Sequence, residues 1–115
     1  MNGRIVFSLD EIEKWRRREP ETSLILVRGD TVPDDIHEIF RSDGLLTAKG
    51  GLTSHAAVVA HRLGKTCVVG CRNLVCNERE QTCLFDDLLL KTGDYLSMDG
   101  REGSVFQGIV DISEA

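Results

Sequence analysis

The stretch GLLTAKGGLTSHAAVVAHRLGKTCVVGC, residues 44–71, joins two apolar runs through a pair of glycines and an amphipathic segment. GLLTA (44–48) predicts a strand that leads straight into the glycines, and TCVVG (66–70) predicts a second, buried strand. Apolar residues between the two recur at the i, i+3, i+4 and i+7 spacing of a helix with one buried face. They are Ala56, Val59, Ala60 and Leu63.

Both ends of this helix carry sequence signals. Thr53 or Ser54 is the natural N-cap, which places His55 at the first or second helical position. Gly64 suits the left-handed conformation that often follows a last helical turn, and Arg62 adds a positive charge where the helix dipole favours one. The sequence therefore predicts a histidine at the start of a helix.

The start of a helix attracts anions, because several backbone N–H groups are unpaired there and the helix dipole is positive. Gly50 and Gly51 let the backbone approach an oxyanion with no Cβ in the way. The sequence has no G-x-x-x-x-G-K-[ST] motif, so this loop lacks the lysine and hydroxyl that hold a nucleoside triphosphate with magnesium. A phosphoryl group bonded covalently to His55 would suit the loop better.

The chemistry of imidazole permits such a bond. Histidine ordinarily titrates near about pH 6.5, so much of it is neutral in a cell and a ring nitrogen can attack phosphorus. The helix start, a hydroxyl of Thr53 or Ser54, and Lys49 would stabilise the charge of the phosphoimidazole. On the residues alone, an ordinary hydroxyl-capped helix that contains a histidine remains an alternative. A two-histidine metal site is disfavoured, because His61 lies about 240° round the helix from His55.

The chain before this stretch predicts alternating strands and helices. GRIVF (3–7) and SLILVR (23–28) have the apolar, β-branched character of strands. Ser8 and Glu11 form a capping box that begins a helix running to about Arg18.

The remaining segments complete the fold prediction. Pro33 predicts the start of a short helix within 31–40, on which His37 is expected to be a surface or packing residue. LVCNEREQTCLF (74–85) is compatible with a hairpin, and YLSMDGREGSVFQG (95–108) predicts one more strongly. Together the patterns predict an α/β (α+β) fold of short strands packed with about three helices.

The length of the chain indicates a single domain over residues 1–115. The net charge is −5 and the basic residues are scattered apart from WRRR (15–18), which argues against binding to nucleic acid. No apolar run approaches the ~18 residues of a membrane span, and the N-terminus has no secretory pattern, so a cytoplasmic protein with no membrane partner is expected. Residues 1–3 and about 111–115 are polar and are expected to be linkers.

The four cysteines are separated by three, four and six residues, without the Cys-x-x-Cys step of a structural zinc site, so no metal site is predicted. Disulfides are not expected in a reducing cytoplasm. Cys67 and Cys71 are predicted to be small buried apolar residues on and after a strand.

Residues 44–71 resemble the phosphohistidine segment of the enzymes that use phosphoenolpyruvate (PEP), most of all the mobile central domain of the pyruvate, phosphate dikinase type. GRIVFSLDEIEKW, ILVRGDTVPDDI, VCNERE and KTGDYLSMDGREGSVFQG resemble the same domain in the same order. The resemblance covers about residues 3–108.

The resemblance implies a swivelling β/β/α domain in which His55 carries a phosphoryl group. In this family the domain moves between an ATP-grasp nucleotide-binding domain, where the histidine is phosphorylated, and a barrel domain, where pyruvate and PEP exchange the group. These domains are the implied partners, in cis or in trans; ATP and magnesium are expected there, with no cofactor bound by this chain. The implied phosphate-binding residues are Lys49, Gly50, Gly51, Thr53 and Ser54.

The chain is therefore expected to be the phosphohistidine component of a phosphotransferase that does not turn over alone. Thr53 matches a threonine that a regulatory enzyme phosphorylates in some dikinases. Lys49 stands where the dikinase motif usually has arginine, and Leu52 replaces a common methionine. His61 occupies a position usually given to arginine or glycine, so any phosphate contact from that arginine would either fall to Arg62 or be lost.

Two alternatives to a dikinase carrier stay open. One is the carrier domain of a PEP synthase or of another PEP-utilising phosphotransferase, although HAAVVA, GK and VGC favour the dikinase type. The other is a non-catalytic regulatory or partner-binding module of the same fold, against which the retained His55, Gly50, Gly51 and Thr53 argue.

Overall fold

The computed structural model describes residues 2–29, 36–49, 55–71, 74–77, 79–86, 88–99 and 104–107. In chain order the elements are β1 (Asn2–Val6), α1 (Leu9–Arg18), β2 (Leu24–Arg28), α2 (Ile36–Arg41), β3 (Gly44–Thr47), α3 (His55–Arg62), β4 (Thr66–Val68), β5 (Leu74–Asn77), β6 (Thr82–Phe85), β7 (Leu88–Lys91), β8 (Tyr95–Asp99) and β9 (Ser104–Gln107).

The larger sheet has six strands in the order β4-β3-β2-β1-β8-β9. The first four strands along the chain are parallel, and each is joined to the next by one of the helices. Each crossover steps to the neighbouring strand in the same direction, so right-handed connections place all three helices on one face of the sheet. The β8–β9 hairpin extends the other edge with antiparallel pairing.

A three-stranded antiparallel sheet, β5-β6-β7, covers the opposite face. The main core lies between the two sheets, where Ile5, Val27 and Leu46 of the larger sheet share a cluster with Leu74 and Leu90 of the smaller one. These side chains are at most 3% exposed, so the packing removes nearly all of their apolar surface from water.

The helical face has cores of its own. Leu26 and Leu45 pack with Ile39 of α2 and Ala60 of α3, and α1 contributes Ile12 to a third cluster. The order of layers is therefore helices, large sheet, small sheet. This arrangement confirms the predicted α/β (α+β) class and its β/β/α layering.

Helix α1 begins as the capping box predicts. The Glu11 N–H donates to the Ser8 hydroxyl at 3.4 Å, and the Glu11 carboxylate accepts from the Phe7 N–H at 3.1 Å. The carboxylate thus reaches the residue before the cap rather than the cap itself. The helix ends at Arg18, also as predicted.

Both predicted hairpins are present, one as β5–β6 and one as β8–β9. Strand β7 was not predicted. The predicted start of α2 at Pro33 lies outside the described residues, while His37 is exposed as expected. No helix in the described part of the chain is long and apolar enough to cross a membrane.

The prediction of a linker at the N-terminus is wrong for residues 2 and 3, which begin β1. Gly3 pairs with Leu96 and is buried, and a Cβ on it would lie 2.8 Å from the Ser23 carbonyl oxygen. This close approach of the backbone requires a glycine, and it holds the polar start of the chain in the sheet. Residues 111–115 lie outside the described residues.

Candidate functional site

Helix α3 starts at the edge of the large sheet where the parallel strands end. It connects β3 to its parallel neighbour β4, so it must run back antiparallel to both strands. Its first residue therefore lies near the carboxyl ends of the strands, where parallel sheets usually place their ligands.

His55 is the first residue of α3, which confirms its predicted position at the helix start. Nothing is described of its side chain. Residues 50–54 also lie outside the described residues, so the roles of Gly50, Gly51, Thr53 and Ser54 stay predictions. Helix α3 is anchored by Ala60, which is fully buried, and by Val59, which packs against the same cluster.

The far end of α3 is closed by a Schellman motif, as the glycine predicts. Gly64 has φ +69°, its N–H donates to the His61 carbonyl at 3.1 Å, and the Lys65 N–H donates to the Ala60 carbonyl at 2.9 Å. These two hydrogen bonds end the helix at Arg62.

Leu63 does not belong to the buried face of the helix, and its predicted burial is wrong. It is 40% exposed because the helix ends at Arg62. Leu63, at the i+7 position of the predicted apolar repeat, therefore lies in the turn that follows the helix, where the chain leaves the packing surface.

Backbone hydrogen bonds hold the chain after β3 in place as far as Lys49. The Ala48 N–H donates to the Arg28 carbonyl at 3.1 Å, and the Lys49 N–H donates to the Gly29 carbonyl at 2.9 Å. The Thr47 hydroxyl, on a residue that is 1% exposed, donates to the Lys49 carbonyl at 2.6 Å. Lys49 itself is exposed, so its ammonium group is accessible to solvent just before residues 50–54.

An open cleft of about 710 Å³ adjoins this edge. Gly29, Ala48 and Lys49 form one side, and residues 74–77 of β5 form the other. No sequence pattern predicted the cleft, because its walls come from three separate segments of the chain. Lys49, which lines the cleft, precedes the first residue of α3 by six positions in the chain.

Arg28 is a further cation at this edge, and it is absent from the sequence-based predictions. It ends β2, is half-buried and stands opposite Thr47 in the sheet register. Side chains alternate along a strand, and Leu26 faces the helices, so Arg28 follows it on that face. Its place as the charged last residue of the apolar run SLILVR was the sequence signal that could have identified it.

Arg62 and His61 lie at the other end of the helix, and both are exposed. Seven residues at about 1.5 Å each separate the backbones of Arg62 and His55 by about 10 Å along the axis. Arg62 is therefore poorly placed to take over a phosphate contact at the helix start, and Lys49 is the nearer cation along the chain.

The cysteines have the character of packing residues. Cys67 is on β4 and Cys71 follows it, both partly rather than fully buried. Burial raises the pKa of the Cys67 thiol to about 11, which keeps it protonated at neutral pH. Within the described ranges, no three His, Cys, Asp or Glu side chains converge to hold a metal ion.

A family model described as "PEP-utilising enzyme, mobile domain" matches residues 20–103. The chain belongs to this family. Over 110 residues this mobile domain is 48% identical to a pyruvate, phosphate dikinase of Rickettsia bellii, and over 111 residues it is 44% identical to a chloroplastic pyruvate, phosphate dikinase of Mesembryanthemum crystallinum. Each alignment covers 96% of this chain. The resemblance stated from the motifs is confirmed.

The same alignments cover 12% of the length of each relative. A chloroplastic dikinase of Arabidopsis thaliana, 42% identical, is matched over 11% of its length. Nearly the whole of this chain therefore aligns with a small section of each relative, and the relatives are several times longer.

Proposed function

We propose that this mobile domain is the phosphoryl carrier of a pyruvate, phosphate dikinase-like phosphotransferase and that His55 is the acceptor. The observation that supports the proposal is the place of His55 at the first residue of α3, shortly after Gly50 and Gly51 in the sequence. The chain belongs to the mobile-domain family, and its relatives are named as dikinases; both findings support the proposal.

The transfer forms one bond and breaks one bond at phosphorus. A ring nitrogen of neutral His55 attacks the phosphoryl group of a donor, and the P–O bond to the donor breaks as the N–P bond forms. In the second half, an oxygen of the acceptor attacks and the N–P bond breaks. When PEP is the donor, the P–O bond that breaks is the one to the enol oxygen of pyruvate. When pyruvate is the acceptor, the same enol oxygen attacks phosphorus.

The helix start would hold the carried phosphate without making it inert. One anion at a helix N-terminus is stabilised by about 0.3–1 kcal/mol when exposed and by up to ~2 kcal/mol when partly buried. In this proposal the backbone N–H groups of Gly50 and Gly51, the hydroxyls of Thr53 and Ser54, and the exposed Lys49 contact the phosphate oxygens.

The donor and the acceptor are proposed to sit on other domains. A nucleotide-binding ATP-grasp domain would hold ATP and magnesium, and a barrel domain would hold pyruvate or PEP, in cis or in trans. The small share of each dikinase that this chain covers leaves ample length for such domains in those relatives. The chain by itself is not expected to turn over.

Thr53 is proposed as a site where phosphorylation stops the transfer. A phosphate there would add close to two negative charges two residues from His55, and it would repel an incoming phosphoryl group. Thr53→Asp, which adds a single negative charge, should reduce phosphoryl uptake more than Thr53→Val, which removes only the hydroxyl.

The proposal is tested by phosphoryl uptake from labelled PEP. The chain is mixed with a dikinase relative whose own carrier histidine has been replaced, so that label on the small chain reports transfer in trans. About one acid-labile, alkali-stable phosphoryl group per chain is expected, and none on His55→Ala. His61→Ala is the matched control, because it removes an exposed histidine from the same helix and should leave uptake unchanged. Uptake by His55→Ala would overturn the proposal.

A further inference from the structure

Two of the cysteines face each other across the small sheet. Cys76 on β5 stands directly opposite Cys83 on β6 in the antiparallel register. Both belong to the core between the sheets, where Cys83 is 1% exposed and Cys76 is partly buried. Cys76 also lines the cleft beside Lys49.

The register brings this pair within reach of a covalent bond. Residues directly opposite each other in an antiparallel pair have Cα atoms about 4.5 or 5.5 Å apart. Disulfides need Cα atoms between about 4.4 and 6.8 Å apart, so a bond between these two requires no change of register.

The other two cysteines are less suitably placed. Cys67 packs with the helices on the opposite face of the large sheet. Cys71 packs at the margin of the same core as Cys76 and Cys83, but it lies on the segment after β4, outside the strand pairing. Cys71 is therefore the competing partner that an experiment must distinguish.

We propose that Cys76 and Cys83 form a reversible dithiol–disulfide site that is oxidised by hydroperoxides entering the cleft. This property does not depend on the phosphoryl-carrier function. It would link the oxidation state of the pair to the shape of the cleft, because Cys76 and Gly29 both line it.

The reaction proceeds in two balanced steps. The thiolate of Cys76 attacks one oxygen of hydrogen peroxide, the O–O bond breaks, and a sulfenic acid forms with release of hydroxide, which the thiol's proton converts to water. The sulfur of Cys83 then attacks the sulfenic sulfur, the S–S bond forms, and the S–O bond breaks with loss of a second water. Two thiols are oxidised and one peroxide is reduced to two waters.

The order of the two cysteines follows from their surroundings. Burial, with smaller contributions from Asp94 and Cys71, raises the pKa of the Cys83 thiol to about 11. A protonated, enclosed thiol is a poor first nucleophile. Cys76 at the cleft therefore reacts first, and Cys83 resolves the sulfenic acid.

Trypsin makes the proposed bond directly readable, because it separates the two cysteines. Cleavage after Arg72, Arg79 and Lys91 leaves Cys76 in NLVCNER and Cys83 in EQTCLFDDLLLK, while Cys67 and Cys71 share TCVVGCR. The folded chain is treated with hydrogen peroxide, its remaining thiols are blocked with N-ethylmaleimide, and it is digested without reductant.

The expected product is NLVCNER joined to EQTCLFDDLLLK within a monomeric chain, lost after treatment with dithiothreitol. Cys76→Ser should abolish it, and Cys67→Ser, the matched control on the other face of the sheet, should leave its yield unchanged. In urea the preference for this pair should disappear, because it depends on the sheet register. If Cys76→Ser fails to fold, the peptide pairing in the unmodified chain still decides.

Three results would overturn the proposal. One is a dominant link from TCVVGCR to either of the other peptides. Another is a link found mainly in dimers, which would mean that the bond joins two chains. The third is maleimide on both Cys76 and Cys83 at peroxide levels that fully oxidise glutathione in the same tube.

Discussion

Arg4 illustrates how much of the structure can depend on one side chain. Its guanidinium lies between the rings of Trp15 and Tyr95, 4.5 and 4.3 Å from their centroids. It also pairs with the Glu19 carboxylate at 2.9 and 3.2 Å and donates to the Gly93 carbonyl at 2.7 Å. A cation on β1 thus ties the end of α1 to the turn before β8.

Replacing Glu19 should change how the free energy of unfolding depends on pH. The hydrogen bond from Arg4, followed by one from Thr22, lowers the pKa of Glu19 below its ordinary value of 4.5. The stabilisation is therefore complete above pH 4.5 and is lost as pH falls through the lower folded pKa. Glu19→Gln should be less stable than the parent at pH 7, and the two should converge in acid. A pH-independent difference in urea unfolding would contradict this account.

Gly93→Ala should destabilise the fold more than the same change at Gly64. Both glycines have positive φ, +91° and +69°, so an alanine is strained at either position by about 1–2 kcal/mol. At Gly93 the new Cβ would also lie 2.8 Å from Cζ2 of Trp15, whereas at Gly64 nothing lies within 4 Å. A total loss of about 2–4 kcal/mol is expected at Gly93. Equal losses, measured by urea unfolding, would mean that the Trp15 contact relaxes freely.

At the scale of elements, strand β7 separates two adjacent leucines. Leu90 is 3% exposed and belongs to the core between the sheets, while Leu89 is 56% exposed on the outer face. Leu89 stands beside Leu84, which in turn stands beside Val75, so these exposed side chains form one row across the small sheet.

Alanine at these two leucines should have very different effects on the free energy of unfolding. Leu90→Ala leaves a cavity between the sheets and should cost about 2–5 kcal/mol. Leu89→Ala removes a side chain that faces water and should change stability by no more than about 0.5 kcal/mol. Thermal unfolding of the two variants side by side checks the packing of one sheet on the other, and similar melting temperatures would contradict it.

Elements with local signals were predictable from the sequence, and those that depend on distant contacts were not. Ser8 and Gly64 mark the start of one helix and the end of another through bonds within a few residues, and the structure reproduces both. LLLK (88–91) has no apolar–polar alternation, so nothing local reveals that Leu90 is buried and Leu89 exposed. The cleft could not be predicted for the same reason, because the segments that form its walls are far apart in sequence.

At the scale of the whole molecule, the parallel half of the large sheet brings the candidate site together. Consecutive crossovers place the ends of β2 and β3, the exposed Lys49 and the first residue of α3 at one edge. The small sheet closes the opposite face and lines the cleft at that edge. The proposed phosphoryl transfer requires that another domain can reach the side chain of His55 at this edge.

The most direct measurement is to locate the phosphoryl group on the chain after transfer from PEP. Trypsin releases residues 50–62 as GGLTSHAAVVAHR, which contains Thr53, Ser54, His55 and His61 together. Fragmentation of this peptide by electron transfer, at alkaline pH throughout sample handling, assigns the phosphate to one side chain. The account predicts phosphate on His55 alone. Phosphate on His61, or on a hydroxyl with His55 unmodified, would contradict it.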